Sequence, residues 1–531
     1  MAESFWEHTG DGAMATKLAI VPDNLWADIR FISLALPVGV WLGTGMVCSR
    51  RLVRTEIKAR SSMSARLQQE LLEHLGRFER SQEHLLRHWG QLTEPQRERL
   101  ARQVLELQPP LLMQLFRGED DAPDWTQLAN LAEPPSAVRL AGTSATARQE
   151  ARQRGEQLLR DGRLGMVLVA GGQGTRLGFP YPKGMFPIGP VSGRSLFQVL
   201  IEHLRAVSRR YDTRVPLYVM TSFATHQETV AFLEKHDRFG LAADDLIVFC
   251  QGTMPALDAA TGDLLLAEPD SLALSPDGHG GMLPAFVGAG GLRHAQDRGI
   301  QQLFYGQIDN PLLQVCDPEL IGFHDLANSE MTTQVVRKRE PMERVGNVVS
   351  IGGSVRIIEY SDLPEAAARR TDEAGELLLW AGNIAVHVFS RAFLERVAAD
   401  PQSLPFHRAR KKVPHLDAQG RPVDPTQPNG LKFERFIFDL LPQARNALVV
   451  EADASSAFAP VKNADSEPCD SPRTAKEAML RLHARWLVEA DIDVPPDLAV
   501  EISPFLALNA AELRQRLRIG GNLNGPTYLE P

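Results

Sequence analysis

At 531 residues the chain exceeds what one hydrophobic core usually supports, so two or three domains are expected. With 44% hydrophobic and 23% charged residues it has the balance of an ordinary globular protein, and its net charge of −9 excludes a general nucleic-acid binder while permitting a local basic pocket for a polyphosphate. The four cysteines, Cys48, Cys250, Cys316 and Cys469, stand far apart without a CxxC pair, which excludes a disulfide framework and a structural zinc site and fits a reducing cytoplasm.

Residues 31–47 (FISLALPVGVWLGTGMV) carry no charge and precede Arg50, Arg51 and Arg54. The run is slightly short for a membrane span and contains Pro37 and several glycines. As an anchor it would turn its C-terminal side to the cytoplasm. It reads as an anchor, as a signal-like segment, or as part of an over-called start with Met63 as the true first residue. The amphipathic pattern that begins just after Met63 favours the last. Residues 1–62 are therefore an uncertain extension, and no membrane partner is expected.

From Ser64 to about Leu107 apolar residues recur at helical spacing: Leu67, Leu71, Leu75 and Phe78, then Leu85, Leu86 and Trp89. Thr93-Glu94-Pro95-Gln96 is a capping box that starts a helix with Leu100 and Val104 on its apolar face. A helical N-terminal domain over 63–140 follows, with the linker Glu133-Pro134-Pro135-Ser136 near its end.

From about Leu164 short β-rich runs alternate with helical stretches. The runs are MVLVA (166–170), PLYVMTS (216–222), LIVFC (246–250) and QLFYGQI (302–308), and SLFQVLIEHLRAVSRR (195–210) is amphipathic. The alternation predicts an α/β core with a mainly parallel sheet over 141–455, and ligands in such folds gather beyond the carboxyl ends of the strands. No internal repeat or low-complexity tract interrupts it.

The first of these strands runs into Gly171-Gly172-Gln173-Gly174-Thr175-Arg176-Leu177-Gly178, then Pro182-Lys183-Gly184. Closely spaced glycines let backbone N–H groups approach an anion, and Arg176 and Lys183 add charge suited to a triphosphate. Spacing excludes two other phosphate motifs. The last glycine interval is one residue too long for a dinucleotide fingerprint, and Lys183 precedes Gly184 where a P-loop has Lys followed by Ser or Thr.

VAGGQGTRLGFPYPKG resembles the signature of the eukaryotic-type UDP-sugar pyrophosphorylases, and within that group the UDP-N-acetylhexosamine pyrophosphorylases. The likeness runs from about 130 to 505, through YPKGMFPIG (181–189), QGTMPAL (251–257), SPDGHGGM (275–282), IDNPLLQVCDPELIGFH (308–324), EYSD (359–362), AGNIAVHVF (381–389), PNGLKFERFIFD (428–439) and FAPVKNADS (458–466). It implies a Rossmann-like nucleotidyltransferase core between two smaller domains.

The resemblance also implies a site. Gly171, Gly172, Gly174, Thr175 and Arg176 would hold the nucleotide, with Lys183 on its phosphates. Gln251 would read uracil, whose edge offers a donor and acceptors, with Gly278 beside it. Asp309 would lie near the nucleotide and ligate Mg²⁺ (or Mn²⁺), with Asp465 as a second ligand; Asp capping the following turn is the plainer role for Asp309. Lys462 would reach the sugar phosphate and the α-phosphate, and Lys432 the nucleotide. Glu359 and Asn383 would bind sugar hydroxyls or an N-acetyl group.

The implied partners are UTP and a hexose 1-phosphate. A sugar-phosphate oxygen attacks the α-phosphorus in line and pyrophosphate leaves. The nucleophile is already anionic, so catalysis is positioning and charge neutralisation. Asp277-Gly278-His279-Gly280-Gly281 departs from the pattern: the acetylhexosamine class has Asn where His279 stands, and Gly-His-Gly is closer to the UDP-glucose class. His279 is thus expected beside the sugar or the uridine. N-acetylglucosamine 1-phosphate ranks first and glucose 1-phosphate second.

A small C-terminal domain is expected over 456–531. Within it Pro472 and Thr474 are expected to precede an amphipathic helix through residue 490.

Overall fold

The central strands form where the chain runs apolar without alternation, because both of their faces are covered. The structure is a computed structural model that describes residues 64–118, 125–400, 402–492, 495, 498–517 and 525–531. The apolar run 31–47 and the start at Met63 lie outside these residues. Residues 66–531 form one compact unit. Among the described residues no helix is long and apolar enough to cross a membrane.

The principal sheet has ten strands. In chain order they are β1 (Ala137–Val138), β2 (Leu164–Val169), β3 (Leu217–Thr221), β4 (Leu246–Cys250), β5 (Gln302–Gln307), β6 (Met331–Arg337), β7 (Asn347–Ile351), β8 (Ser354–Ile358), β9 (Ala381–Ser390) and β10 (Ala447–Ala452). Across the sheet the order is β1-β10-β6-β9-β5-β2-β3-β4, with the β7–β8 hairpin attached to the start of β9. Along this order neighbours pair in parallel except at β9, which runs antiparallel to both β5 and β6, and the attached β7–β8 hairpin is antiparallel too. The expected mainly parallel α/β sheet is therefore present.

Side chains alternate between the faces with the strand period. Met166, Leu168, Leu217, Val219, Phe304, Val386 and Val388 face one core, which is covered by α1 (Ala145–Arg160), α2 (Leu196–Arg210), α3 (Pro318–Leu326) and α4 (Pro472–Glu489). Val167, Tyr218, Met220, Tyr305 and Phe389 face the other, against residues 282–295, 393–397 and 437–441. Helices α1 and α3 touch backbone to backbone. A Cβ on Gly322 would stand 1.6 Å from the Ala151 carbonyl oxygen, so no side chain fits between them.

The N-terminal capping box forms as expected, with Thr93 and Gln96 exchanging bonds at the head of helix Glu94–Leu105. Upstream the pattern is less regular than its spacing predicts. The helix over 64–75 ends before Phe78, and Leu85, Leu86 and Trp89 sit on 3-10 turns. All four are nevertheless buried, in a cluster completed by Leu257, Leu264, Leu431 and Phe433 from the centre of the chain. At the other end, α4 begins earlier than expected: Pro472 is its first residue, and Thr474 lies inside its capping box with Ser471.

Beyond α4, the buried Glu501 accepts from Val191 N (2.8 Å), Ser192 N (2.7 Å) and Ser192 Oγ (2.8 Å). The C-terminal segment thereby grips the loop that follows Pro182-Lys183-Gly184.

Candidate active site

The glycine loop leaves the end of β2 and folds back on itself. Lys183 N donates to the Gly172 carbonyl (3.0 Å) and Gly174 N to the Tyr181 carbonyl (2.9 Å). This lays the Pro-Lys-Gly segment along the loop and carries the Lys183 side chain past Gly172. Thr175 and Arg176 stand exposed on a single 3-10 turn. Ser222, at the end of β3, donates from Oγ to the Gly171 carbonyl (2.7 Å). A Cβ on Gly171 would stand 2.8 Å from Gln251 Oε1, so only glycine lets Gln251 close on the loop.

Gln251 begins the turn after β4, and its Nε2 points at the Gly278 carbonyl (3.5 Å). Gly278 holds φ +83°, and a Cβ there would strike the Arg435 carbonyl oxygen at 2.4 Å. Glycine is needed on both counts. Burial pushes the neighbouring Asp277 carboxyl above its usual range, opposed by Arg435 and Gln251. His279 packs against Phe436 and Phe438. Its Nδ1 accepts from Ile437 N (3.2 Å), so the neutral ring carries its proton on Nε2. Burial, with His407 adding repulsion, pulls its pKa down to about 4, so the ring is uncharged near neutral pH. His279 is thus a neutral ring held against the aromatic pair, with Nε2–H as its remaining donor.

The phosphate side is built where β5 ends. Lys183 Nζ lies 3.6 Å from Asp309 Oδ2, both side chains being largely buried. The Asp309 carbonyl accepts from Val461 N (2.8 Å). The adjoining Asn310 is buried and fully used: its Oδ1 accepts from Leu312 N (3.2 Å) and Ala459 N (3.0 Å), and its Nδ2 donates to the Ala457 carbonyl (2.7 Å). These bonds lace segment 457–461 to the Asp309 turn and deliver Lys462 to the same end of the sheet.

Asp465, expected as a second metal ligand, stands at the start of α4. It is exposed, and its Oδ1 accepts from Arg473 N (2.7 Å) at the foot of α4, so it serves that helix end. Sequence reasoning missed Asp470. Its carbonyl accepts from Lys462 N (2.6 Å), and its carboxyl shares the field of Lys462 and Asp309. Among the described residues no cluster of three or more His, Cys, Asp or Glu forms a metal cage.

The sugar side joins β7, β8 and β9. Asn383 N donates to the Gly346 carbonyl (2.8 Å), and its side-chain Oδ1 accepts from Ala385 N (3.0 Å). A Cβ on Gly346 would touch Glu359 Oε1 (3.1 Å) and Asn383 Cβ (3.6 Å). The three residues therefore line one wall, and Gly346 was not singled out from the sequence. Burial pushes the Glu359 carboxyl up, Asp362 adds to this, and Lys462 and His407 oppose it. Lys432 lies on strand β11 (Gly430–Glu434), between Leu431 and Phe433, which face the N-terminal cluster. Its side chain takes the opposite face with Glu434, whose Cβ borders Gly278. In sequence along this end of the sheet lie the glycine loop, the Lys183–Asp309 pair, the segment that carries Lys462 beside Asp470, and the wall of Gly346, Glu359 and Asn383.

Residues 117–511 match the family model described as UTP–glucose-1-phosphate uridylyltransferase. The chain is 36% identical over 425 residues to the human UDP-N-acetylhexosamine pyrophosphorylase-like protein 1, covering 77% of this chain and 83% of that one. It is 34% identical over 389 residues to the UDP-N-acetylglucosamine pyrophosphorylase of Saccharomyces cerevisiae, covering 72% and 82%. The solved structure of the uridine diphosphate N-acetylglucosamine pyrophosphorylase from Trypanosoma brucei superposes with a TM-score of 0.73 at 27% identity, over 85% of this chain and 94% of that one.

Proposed function

The chain belongs to the UTP–glucose-1-phosphate uridylyltransferase family, and from that premise we propose that it joins UTP to N-acetylglucosamine 1-phosphate, yielding UDP-N-acetylglucosamine and pyrophosphate. The observation that carries this reading is the meeting of Lys183 with Asp309 at 3.6 Å, on a turn laced to the segment that delivers Lys462. Two cations from remote parts of the chain there flank the outlet of a glycine cradle, the arrangement that two anionic substrates require.

In this reading Gly171, Gly172, Gly174 and Thr175 cradle the nucleotide, Gln251 and Gly278 border the uracil, and Arg176 and Lys183 hold the departing pyrophosphate. Lys432 approaches the nucleotide from its strand. Lys462 steers the sugar phosphate. One of that phosphate's oxygens bonds to the α-phosphorus as the α–β anhydride bond breaks, and the electron pair leaves with pyrophosphate. No proton needs to be removed, so aligned charge does the work. Glu359, Gly346 and Asn383 receive the hexose.

Asp309 fits a divalent cation. It is a single carboxylate at the phosphate outlet, and Mg²⁺ favours one or two carboxylates completed by phosphate oxygens and water. Bound there, Mg²⁺ (or Mn²⁺) would neutralise triphosphate charge.

The test is pyrophosphate release from UTP with a panel of sugar 1-phosphates. N-acetylglucosamine 1-phosphate should give the highest kcat/KM. A preference for glucose 1-phosphate would move the assignment to the sugar that the Gly278-His279-Gly280 string favours. Release with none of them would overturn the uridylyltransferase reading.

A further inference from the structure

The sugar wall includes a histidine that no motif announces. His407 opens strand Ala409-containing β12 (His407–Lys411), where it pairs with Glu434 of β11. Its Nε2 lies 2.7 Å from Asp439 Oδ2, and both side chains are only partly exposed. The ring lies against Phe436, with centroids 4.5 Å apart, and Phe436 in turn stacks on His279 at 5.4 Å. One nitrogen and one ring face are thus fixed. The other nitrogen, Nδ1, has no protein partner among the described residues and is not sealed from solvent.

The carboxylate dictates the proton positions. Asp439 can only accept, so Nε2 carries a hydrogen. When the ring is neutral Nδ1 is a bare lone pair; when it is charged Nδ1 becomes a donor. The charged groups around it are Asp439 from the turn at 437–443, Glu359 and Asp362 from the turn after β8, and Glu434 from β11. Lys462 also acts electrostatically on Glu359, and burial pulls the His279 pKa down to about 4. Burial alone would pull the His407 pKa down, but the Asp439 hydrogen bond and the three carboxylates Asp439, Asp362 and Glu359 outweigh it, and the net shift is upward.

We propose that His407, gripped by Asp439, is a sugar-binding residue whose Nδ1–H donates to an oxygen of the hexose 1-phosphate, on the wall that also carries Glu359. Asp439 is its positioning residue. The inference rests on the uridylyltransferase reading above and deepens it. It assigns the pocket a mixed character: Glu359 accepts from the hexose, His407 donates to it, and the donor is lost when the ring deprotonates. The sign follows from the raised pKa: the donor is present below it and disappears as pH rises through it.

The experiment measures KM for UTP and for the preferred sugar 1-phosphate between about pH 6 and 9, the range in which a histidine with raised pKa titrates. The proteins are the full chain, His407→Phe and Asp439→Asn. Phenylalanine keeps the ring against Phe436 and removes both nitrogens. His407→Phe should raise the sugar-phosphate KM about tenfold, as expected for losing one charge-assisted hydrogen bond, and leave the UTP KM within about twofold. In the full chain the sugar-phosphate KM should rise with pH. That rise should flatten in His407→Phe to the residue set by the substrate's own ionisation, and should begin at lower pH in Asp439→Asn.

An unchanged sugar-phosphate KM in His407→Phe would overturn the proposal while leaving the function intact. So would an unchanged pH dependence, or equal losses for both substrates together with a lowered Tm, which would mark a structural pair. If His407→Phe fails to fold, the pH at which KM rises in Asp439→Asn decides alone, and no displacement from the full chain refutes the assignment. A full chain that makes no nucleotide sugar refutes the function first, and this inference with it.

Discussion

At the scale of single residues, the proposed chemistry rests on two lysines. Lys183 and Lys462 come from opposite ends of the core and meet around the Asp309 turn. Lys183→Ala or Lys462→Ala should each lower kcat about 100-fold or more, the order found when one preorganised charge partner of a transition state is removed. Steady-state kinetics check this, and near-normal turnover in both variants would remove these residues from the proposed chemistry. The glycine loop, Lys183, Gln251 and Asp309 are legible as candidates because each lies in a short motif at a strand end. Gly346, His407 and Asp470 are not. Each acquires its surroundings from residues distant in sequence: Gly346 from Glu359 and Asn383, His407 from Asp439, and Asp470 from the Lys462 loop. Asp465 shows the converse, since it lies in a motif while its Oδ1 serves the α4 helix end.

At the scale of elements, two close contacts set the frame. Helices α1 and α3 meet where a Cβ on Gly322 would fall 1.6 Å from a backbone oxygen. Backbone does not yield as a flexible side chain does, so Gly322→Ala should destabilise the fold by about 1–3 kcal/mol, the range for overpacking. A thermal melt reads this as a lowered Tm, and an unchanged Tm would show that the helices separate without cost. The second contact is polar: Asn310 holds segment 457–459 through two hydrogen bonds and its own turn through a third, from Leu312 N. Asn310→Ala should lower kcat and Tm together, because it frees the Lys462 loop and leaves buried N–H and C=O groups unpaired; kinetics and a melt on the same sample test the pairing of the two losses.

The four runs read from the sequence fall within two residues of β2, β3, β4 and β5, since continuous apolar runs flanked by turns leave few alternatives. The N-terminal helical spacing was less reliable. Leu85, Leu86 and Trp89 satisfy burial from 3-10 turns, because the surface they cover comes from the centre of the chain rather than from a helix of their own.

At the scale of the whole molecule, the antiparallel strand β9 explains how both halves of the site share one edge. The parallel strands β2, β3, β4 and β5 bring their carboxyl ends, with Gly171, Ser222, Gln251 and Asp309, to that edge. Because β9 runs the other way, its beginning arrives there too, and Asn383 stands beside the hexose wall. The rule that ligands gather at the carboxyl ends of strands points to the proposed nucleotide half; reversal of a single strand, which the sequence did not announce, brings the proposed sugar half beside it. With one carboxylate at the outlet and no protein cage among the described residues, a divalent cation would be held jointly by Asp309 and the triphosphate. Excess chelator should therefore abolish turnover, and added Mg²⁺ should restore it. Full activity in the chelator would exclude the metal role.

The grip of Glu501 on Val191 and Ser192 has a consequence for the order in which the protein matures. The backbone amides beside the cradle find their acceptor 310 and 309 positions further along the chain. During synthesis the earlier strands can collapse first, but that loop stays unfastened until Glu501 has left the ribosome. A nascent chain thus holds the loop open through the making of every element between them.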